Sequence, residues 1–431
     1  RRRTKSGYKK DNNSLSDYHN RKFLVFLKKM KIVLFFFTVI GLVVSDDGVD
    51  PEAGERAPEI IRHWGYPAEV HYVTTEDGYI LTVHRIPYGK DTSIPQDARR
   101  PVVFLMHGLE ASSSHWVTNL PTLSLGFLLA DMGYDVWMGN VRGNLYGKNH
   151  TTLNVSSHEF WQFSWDESVQ YDLPAMIDTA LTVTNHSSLY YVGHSQGTLI
   201  MFAKLSSDHE FAKKIRKFFA LAPVCTVEYI KGLLEFLAHT LYGFADVLYD
   251  MGIYEFLPDN KTMETAGELF CANKTDSQLC GSILGLIGGT NSTQMNCSRI
   301  PVFMSDEPAG TSTLNMIHWI QMVRSGKMQK YDYKNVTLNI QHYGQPTAPE
   351  YDISKINSDV YLFWSSADWL ADQQDIEGFL LKNINPNALK GNNVLIEFDH
   401  LDFIWGNRAK NEVYKPIVME IQKDVAANGD P

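Results

Sequence analysis

The chain has 431 residues, of which 44% are hydrophobic and 20% are charged, with a formal net charge of −10. That length accommodates one large α/β domain with an insertion, or two domains. The acidic balance argues against a nucleic-acid-binding protein. Four cysteines in so long a chain exclude a small scaffold held together by disulfides.

The first 45 residues do not have the composition of a folded domain. Residues 1–29 are polar and basic without apolar periodicity, and we interpret them as an upstream extension outside the fold. Residues 30–45 place one lysine before thirteen mostly apolar residues and end at Ser45, which is the layout of a secretory signal peptide. A membrane anchor is the alternative, but roughly 20 apolar residues are needed to span a bilayer. We therefore expect cleavage near Ser45 and a folded domain over 46–431, with no stable transmembrane anchor.

Removal of residues 1–45 leaves 28 basic and 47 acidic residues, a formal charge of −19. Eight Asn-x-Ser/Thr sequons follow the signal segment. In a secretory chain, so many sequons predict a glycosylated lumenal protein, located in lysosomes or secreted, for example into the gut lumen. The sequons are Asn149, Asn154, Asn185, Asn260, Asn273, Asn291, Asn296 and Asn335.

Short apolar runs, each stopped by glycine or a polar turn, recur along the domain and predict strands. Their apolar residues cover both faces, which is typical of a parallel sheet with helices on both sides. Helical patterns lie between these runs. In one of them Asp172 is the expected N-terminal cap of the helix and Pro174 lies in the first turn, and another follows Ser195. This alternation predicts a doubly wound α/β fold with its active site beyond the carboxyl ends of the strands. The predicted strands are 102–108, 134–140, 190–195, 217–223, 360–366 and 393–400.

The segment of about residues 225–315 interrupts the alternation and has little strand character. Its first part places apolar residues on one helical face, and residues 281–289 are apolar and glycine-rich. We predict that this insertion forms a helical cap over the active end of the sheet, with an ordinary helical core as the open alternative. The residues of the helical face are Ile230, Leu233, Leu234, Leu237 and Leu241.

The pentapeptide Gly193-His194-Ser195-Gln196-Gly197 joins a predicted strand directly to a predicted helix. A serine on such a tight turn projects its hydroxyl out of the fold, and the glycines are needed because side chains there would collide with backbone. Alone the pattern is a weak signal, since it arises by chance in roughly one chain in seven of this length. The interpretation of Ser195 as a nucleophile therefore depends on its partners.

A serine nucleophile needs a base, and the base needs a carboxylate that orients it. In this fold class the chain order is serine, acid, histidine. Asp368 follows one late predicted strand and His400 follows the last, so they are the expected acid and base. Asp372 and Asp399 are weaker candidates for the acid, because one lies a turn further on and the other adjoins His400.

The reaction also needs two backbone N–H donors for the oxyanion of the tetrahedral intermediate. Gln196, the residue after the nucleophile, is expected to provide one, and Leu109 in the loop after an early strand the other. No metal or cofactor is expected, because the cysteines lack zinc-ligand spacing and no His-Glu-x-x-His motif occurs.

The sequence resembles the acid lipase family of gastric lipase and lysosomal acid lipase along essentially the whole chain after the signal segment. The resemblance implies the α/β-hydrolase fold, a mostly parallel doubly wound sheet with a helical cap, and hydrolysis of triacylglycerols or cholesteryl esters. It also implies a triad of Ser195, Asp368 and His400, with Leu109 and Gln196 as oxyanion donors. The matching blocks, which include "GHSQGT" and "PAGTSTLNMIHW", are residues 63–87, 104–121, 139–147, 164–178, 193–198, 308–319, 368–376 and 400–406.

The resemblance further implies a short disulfide within the cap, assigned to Cys271 and Cys280, and a structural rather than nucleotide-binding role for residues 139–147. The chain departs from the family pattern at residues 365–367, Trp369 and Gln373, and in its additional cysteines. These departures concern substrate preference more than the triad. The additional cysteines are Cys225 and Cys297.

The expected partner is a neutral lipid at a lipid–water interface, acted on by a monomer whose cap must move. A catalytically weak lipid carrier on the same fold is the alternative, whereas an epoxide or haloalkane hydrolase would need an acid at position 195. The charge of −19 causes self-repulsion at neutral pH, which favours a working pH of about 4–6. Acid activity then requires His400 to stay neutral, which burial beneath the cap would favour.

Overall fold

A computed structural model of the chain describes residues 50–91, 93–232, 235, 238, 244–257, 288–289 and 294–429, without the side chains of residues 244, 245, 247 and 297. The predicted extension and signal segment lie outside these residues. Among the described helices, none combines the length and the apolar composition that a membrane crossing requires.

Of the eleven described strands, β8 and β9 form a separate two-stranded sheet, and the other nine form one large sheet that is mostly parallel. Its order is β1-β2-β4-β3-β6-β7-β10-β11, with β5 paired to β2. In this order, every neighbouring pair from β4-β3 to β10-β11 is parallel. β2 runs antiparallel to its three partners, β1, β4 and β5. The strands are β1 Glu69–Thr74, β2 Tyr79–Ile86, β3 Val102–Met106, β4 Asp135–Met138, β5 Asn149–His150, β6 Leu189–His194, β7 Ile215–Leu221, β8 Glu255–Phe256, β9 Thr311–Ser312, β10 Asp359–Ser365 and β11 Leu389–Leu395.

Helices lie between the strands and cover the sheet. The described α-helices are α1 Ala57–His63, α2 Leu125–Asp131, α3 Trp165–Glu167, α4 Leu173–Thr184, α5 Gln196–Ser207, α6 His209–Ala212, α7 Phe244–Asp250, α8 Ile300–Phe303, α9 Thr313–Ser325, α10 Val336–Tyr343, α11 Gln373–Asp375, α12 Leu381–Asn383, α13 Asp402–Trp405 and α14 Lys415–Asn428. Single turns of 3₁₀ helix span Ser113–Trp116, Glu159–Trp161, Cys297–Arg299 and Ile353–Lys355, and π-helical turns span Ser168–Asp172, Ile376–Leu380 and Lys410–Tyr414.

The predicted doubly wound α/β fold is confirmed, and the central strands are buried along their whole length. Every residue of β3, β4 and β6 is buried, which explains why these strands are continuous apolar runs in the sequence. The antiparallel hairpin of β1 and β2 was not predicted. β1 lies at the edge of the sheet and alternates half-buried and exposed positions, so it carries too few apolar residues to be conspicuous.

The last strand was predicted too late in the sequence. β11 ends at Leu395, not at residue 400, and it begins at Leu389. It is an edge strand, so polar residues can occupy it: Asn392 accepts a hydrogen bond from the indole of Trp364 at 2.7 Å. Residues 396–400 leave the sheet and form the loop that carries the predicted base.

The prediction that Asp172 caps the start of a helix is wrong. The helical path begins at Trp165, where Ser164 and Glu167 form a capping box, and it passes through a π turn before α4. Asp172 is fully buried in that path and its carboxylate binds Arg142, with Nε to Oδ1 at 2.8 Å. A buried arginine such as Arg142, in the turn of residues 139–147, requires an acidic partner. In the sequence, an aspartate with this role looks the same as one that caps a helix.

The segment predicted as an insertion is described in part. α7 is followed by β8, which pairs antiparallel with β9 and so joins residues 255–256 to the segment before α9. Short strands thus occur where the sequence predicted helix. Leu233, Leu234, Leu237 and Leu241 of the predicted helical face, and residues 281–287, lie outside the described residues.

Candidate active site

Ser195 occupies a strained turn between the end of β6 and the start of α5. Its φ of 53° and ψ of −118° are unusual for a residue with a side chain. A Cβ on Gly193 would lie 2.8 Å from the backbone of Gly197, and one on Gly197 would lie 2.5 Å from the carbonyl oxygen of Met106. Glycine at both positions therefore allows the close approach that places Ser195 at the carboxyl end of the sheet.

Asp368 and His400 meet in the loops after β10 and β11. His400 Nδ1 lies 3.0 Å from each carboxylate oxygen of Asp368. Oδ1 of Asp368 also accepts the backbone N–H groups of Leu370 and Ala371 at 2.8 and 2.9 Å. Both side chains are buried, with relative exposures of 0% for Asp368 and 3% for His400. The carboxylate is thus fixed by backbone donors and holds one nitrogen of the imidazole.

The two other candidate acids have different partners. Asp372 forms an ion pair with Lys231 at 2.5 Å and caps α11 by accepting the N–H of Gln374. Asp399 accepts two N–H groups of its own loop, from Leu401 and Asp402, both at 3.0 Å. Asp368 is therefore the acid that the structure brings to His400.

His194, the residue before the nucleophile, connects the turn at Ser195 to the loop of His400. Its Nε2 donates to the carbonyl oxygen of His400 at 2.9 Å, and the two imidazole rings are 4.7 Å apart. Burial first, and the neighbouring His400 second, keep the pKa of His194 well below its ordinary value, so this ring is neutral. The described contacts include no hydrogen bond between the side chains of Ser195 and His400.

The two predicted oxyanion donors are Gln196, which follows Ser195 in the chain, and Leu109, whose neighbour Gly108 lies close to Ser195. Gln196 is the first residue of α5, where helical N–H groups have no intrahelical partner. Leu109 follows Gly108, where a Cβ would be 3.0 Å from the Cβ of Ser195. The next residue, Glu110, has a φ of 58°, and its carbonyl oxygen accepts the N–H of Ala309 at 2.7 Å. The Leu109 loop is thereby fastened to the segment that precedes β9.

A buried acid–imidazole pair lies beside these loops and was not predicted. His115 Nε2 lies 2.8 Å from Glu307 Oε2, and its ring is 5.7 Å from that of His194. Burial, with the charge of Asp306 second, raises the pKa of Glu307 well above its usual range, and burial lowers the pKa of His115 to about 3. Both shifts favour the neutral forms of the pair.

A second unpredicted group is the set of side chains around Gln196. Oε1 of Gln196 accepts from Trp319 Nε1 at 2.8 Å and from Asn315 Nδ2 at 3.1 Å. Both donors lie in block 308–319, which matches the family, but the sequence predicts no strand in that block and so gave no chemical signal there. The carbonyl oxygen of Gly288, from the predicted insertion, accepts the N–H groups of Trp369 and His400 at 3.2 Å each.

Within the described ranges, no cluster of histidine, cysteine and acidic side chains is arranged to hold a metal ion. Cys225 is a buried free thiol whose pKa is raised, first by burial and then by Asp375. Cys271 and Cys280 of the expected disulfide lie outside the described residues. Of the sequon asparagines, Asn149, Asn154, Asn185 and Asn335 are exposed and Asn296 is partly exposed, whereas Asn260, Asn273 and Asn291 are not described.

Comparisons with known proteins show which family the chain is similar to. The family model of a partial alpha/beta-hydrolase lipase region matches residues 57–120, and that of the alpha/beta hydrolase fold matches residues 101–251. Lipase lipl-1 of Caenorhabditis elegans is 50% identical over 402 residues, covering 93% of this chain and 99% of the relative. Human gastric triacylglycerol lipase is 44% identical, and lysosomal acid lipase/cholesteryl ester hydrolase of Macaca fascicularis is 43% identical, each covering 87% of this chain and 92% of the relative.

Among solved structures, a proposed lipase from Sulfolobus solfataricus superimposes with a TM-score of 0.55. The match covers 83% of this chain and 94% of the other at 12% identity, so it supports the fold alone. The sequence relatives are similar over nearly their whole lengths and at far higher identity. The chain therefore belongs to the acid lipase family of the α/β-hydrolase fold and is an ester hydrolase.

Proposed function

We propose that the chain hydrolyses the ester bonds of neutral lipids, triacylglycerols or cholesteryl esters, through an acyl-enzyme on Ser195 at acidic pH. The observation that carries the proposal is the pairing of Asp368 with His400 Nδ1, at 3.0 Å from both carboxylate oxygens, next to the strained turn of Ser195. This pairing orients the imidazole so that its other nitrogen is available to the serine hydroxyl.

In the proposed reaction, His400 Nε2 takes the proton of Ser195 Oγ as the oxygen attacks the ester carbonyl carbon. The negative oxygen that forms is held by the N–H groups of Leu109 and Gln196. The intermediate collapses to an acyl-serine, and His400 returns the proton to the leaving alcohol. Water then attacks the acyl group with His400 again as base, which releases the fatty acid and regenerates Ser195.

The proposed substrate class is supported by the relatives and by the surface of the predicted insertion. The relatives include a gastric triacylglycerol lipase and a lysosomal acid lipase/cholesteryl ester hydrolase. Near α7, the side chains of Met251, Ile253 and Leu257 are 57%, 43% and 45% exposed. Exposed apolar residues grouped in one segment favour contact with a lipid surface. Hydrolysis at the surface of a lipid droplet or micelle is the reaction that fits both observations.

The acidic working pH is supported by the neutral histidines around the site and by the name of a relative. His400 is 3% exposed, and the rings of His194 and His115 near it have lowered pKa values and are neutral. The name of one relative, lysosomal acid lipase/cholesteryl ester hydrolase, supports the same pH range. The exposed sequon asparagines and the family suggest a lumenal setting, either lysosomal or secreted.

A hydrolysis panel tests the proposal. We expect the full chain to hydrolyse emulsified triacylglycerol or cholesteryl ester several-fold faster at about pH 5 than at about pH 7.5, in keeping with its similarity to gastric and lysosomal acid lipases. Ser195→Ala should be inactive toward every ester. The rates are measured by fatty-acid release at matched substrate surface area.

Two results would contradict the proposal in different ways. A profile that peaks at or above about pH 7.5 and vanishes by pH 5 would indicate a neutral lipase. Binding of lipid without fatty-acid release at any pH would indicate a lipid carrier on this fold.

A further inference from the structure

The side chain of Gln196 is held from outside its own helix. Asn315 and Trp319 are four residues apart on α9 and therefore share one face of that helix. Both donate to Gln196 Oε1, at 3.1 and 2.8 Å. An amide oxygen has two lone pairs, so these donors use its full accepting capacity.

This contact is buried and is itself fixed on several sides. Gln196, Asn315 and Trp319 are 3%, 2% and 6% exposed. Asn315 Oδ1 accepts the backbone N–H of Trp165 at 2.9 Å, and Asn315 Nδ2 also donates to Thr311 Oγ1 at 3.0 Å. Hydrogen bonds of this kind hold a buried amide in one orientation, since losing one leaves a polar atom unsatisfied.

The orientation of Gln196 bears directly on catalysis because its backbone N–H is the proposed oxyanion donor. That N–H lies in the first turn of α5 and has no helical hydrogen bond to fix its direction. Oxyanion stabilisation depends on donors that are already aimed before charge develops. A side chain anchored on α9 limits how far the peptide group of the same residue can turn.

We propose that Asn315 and Trp319 are positioning residues that hold the oxyanion donor Gln196 through its side-chain amide, an inference that rests on the proposed function. α9 follows β9 directly, and β9 pairs with β8 of the predicted insertion. The same helix therefore ties the oxyanion donor to the segment expected to contact lipid.

Trp319→Phe tests this inference, because phenylalanine keeps a buried ring and removes the N–H donor. We expect kcat to fall about tenfold with KM nearly unchanged. The affinity for an alkyl boronic acid, whose adduct with Ser195 carries the tetrahedral oxygen, should fall by the same factor. Rates are expressed per enzyme titrated at Ser195 with a fluorophosphonate, so unfolded protein does not contribute.

Trp161→Phe is the matched control. The indole of Trp161 is 3% exposed and donates to the carbonyl oxygen of Val155 at 2.7 Å, so the same kind of hydrogen bond is lost away from Gln196. Its kcat and boronic-acid affinity should stay at the wild-type values. An equal loss in both variants would overturn the inference, as would unchanged values in Trp319→Phe.

A double-mutant cycle tests whether Trp319 acts on the oxyanion donor through the side-chain amide of Gln196. Gln196→Met keeps the backbone N–H and removes Oε1, so adding Trp319→Phe should lower kcat no further. Independent, additive losses would overturn the proposed route. Absence of ester hydrolysis and of phosphonate labelling in the wild-type chain would instead refute the proposed function, which keeps the two failures distinguishable.

Discussion

Asp368→Asn is expected to lower kcat for ester hydrolysis about 10⁴-fold with KM changed only a few-fold. Both carboxylate oxygens of Asp368 face His400 Nδ1 at 3.0 Å, and an amide there can donate to the ring and stabilise the wrong tautomer. Ser195→Ala and His400→Ala should have similarly large effects. In the proposed mechanism the three groups act as a unit, so combining the substitutions should add little. The measurement is single-turnover and steady-state hydrolysis of a soluble ester.

Asp372→Asn is the matched control for the acid. Asp372 is as deeply buried as Asp368, but its carboxylate binds Lys231 and caps α11. The Asp372→Asn variant should be less stable than the wild type and should keep kcat within a few-fold of the wild-type value. Inactivation of Asp372→Asn together with retained activity in Asp368→Asn would show that the acid is misassigned.

The second large effect is a loss of stability as the pH rises from mildly acidic to alkaline. Burial, and next the charge of Asp402, raise the pKa of Asp399 to about 8. Burial raises the pKa of Asp166 to about 6, and burial with the charge of Asp166 raises that of Glu167 to about 7. In the unfolded chain these carboxyls lose their protons near pH 4.

The sign follows from proton binding. Between about pH 4 and pH 8 the folded state holds protons on these acids that the unfolded state has released, so they destabilise the fold progressively as the pH rises. The opposite trend comes from buried neutral histidines, because burial lowers the pKa of His84, His107 and His318 to about 3. Unfolding lets these rings take up protons below about pH 6.5. Between about pH 6.5 and pH 8 these histidines no longer contribute, so the buried acids determine the trend and the free energy of unfolding decreases as the pH rises.

We expect the free energy of unfolding to be greatest in mild acid and to decrease by a few kcal/mol between about pH 6 and pH 8. Asp399→Asn imitates the protonated acid and can still accept the N–H groups of Leu401 and Asp402. It should therefore raise Tm at pH 8 by a few degrees and leave it nearly unchanged at pH 5. Calorimetry or thermal melts at the two pH values give the answer.

Asp352→Asn serves as the comparison, because Asp352 is exposed and hydrogen bonds from Ser354 lower its pKa. This variant should not gain stability at pH 8. An equal gain in both variants would show that total charge, rather than the buried carboxyl of Asp399, determines the trend.

The central fold could be predicted because its strands are buried on both faces. The runs that contain β3, β6 and β10 are continuously apolar, and the glycines at 193 and 197 mark a turn that only a close backbone approach requires. The edge strands β1 and β11 could not be located in the same way. Their alternating exposure admits polar residues, so their bounds depend on neighbours that lie far away in the sequence.

The candidate site residues could be located in the sequence because they follow the ends of predicted strands. Asp368 and His400 lie beyond β10 and β11, and chain order restricted the choice further. By contrast, Glu307 with His115, and Trp319 with Gln196, are pairs joined across more than a hundred residues. A single sequence shows each residue but not the tertiary contact that makes it a partner, and the role of Asp172 was misassigned for the same reason.

The most direct test of the account is to react the full chain at about pH 5 with an alkyl fluorophosphonate, which requires an activated serine, and to map the adduct by peptide mass spectrometry. We predict one adduct per chain, on Ser195, with loss of lipid-ester hydrolysis in proportion to labelling and no adduct in Ser195→Ala. Labelling in Asp368→Asn should be slower by orders of magnitude. Hydrolysis that persists in fully labelled enzyme, or an inactivating adduct on any residue other than Ser195, would contradict the account.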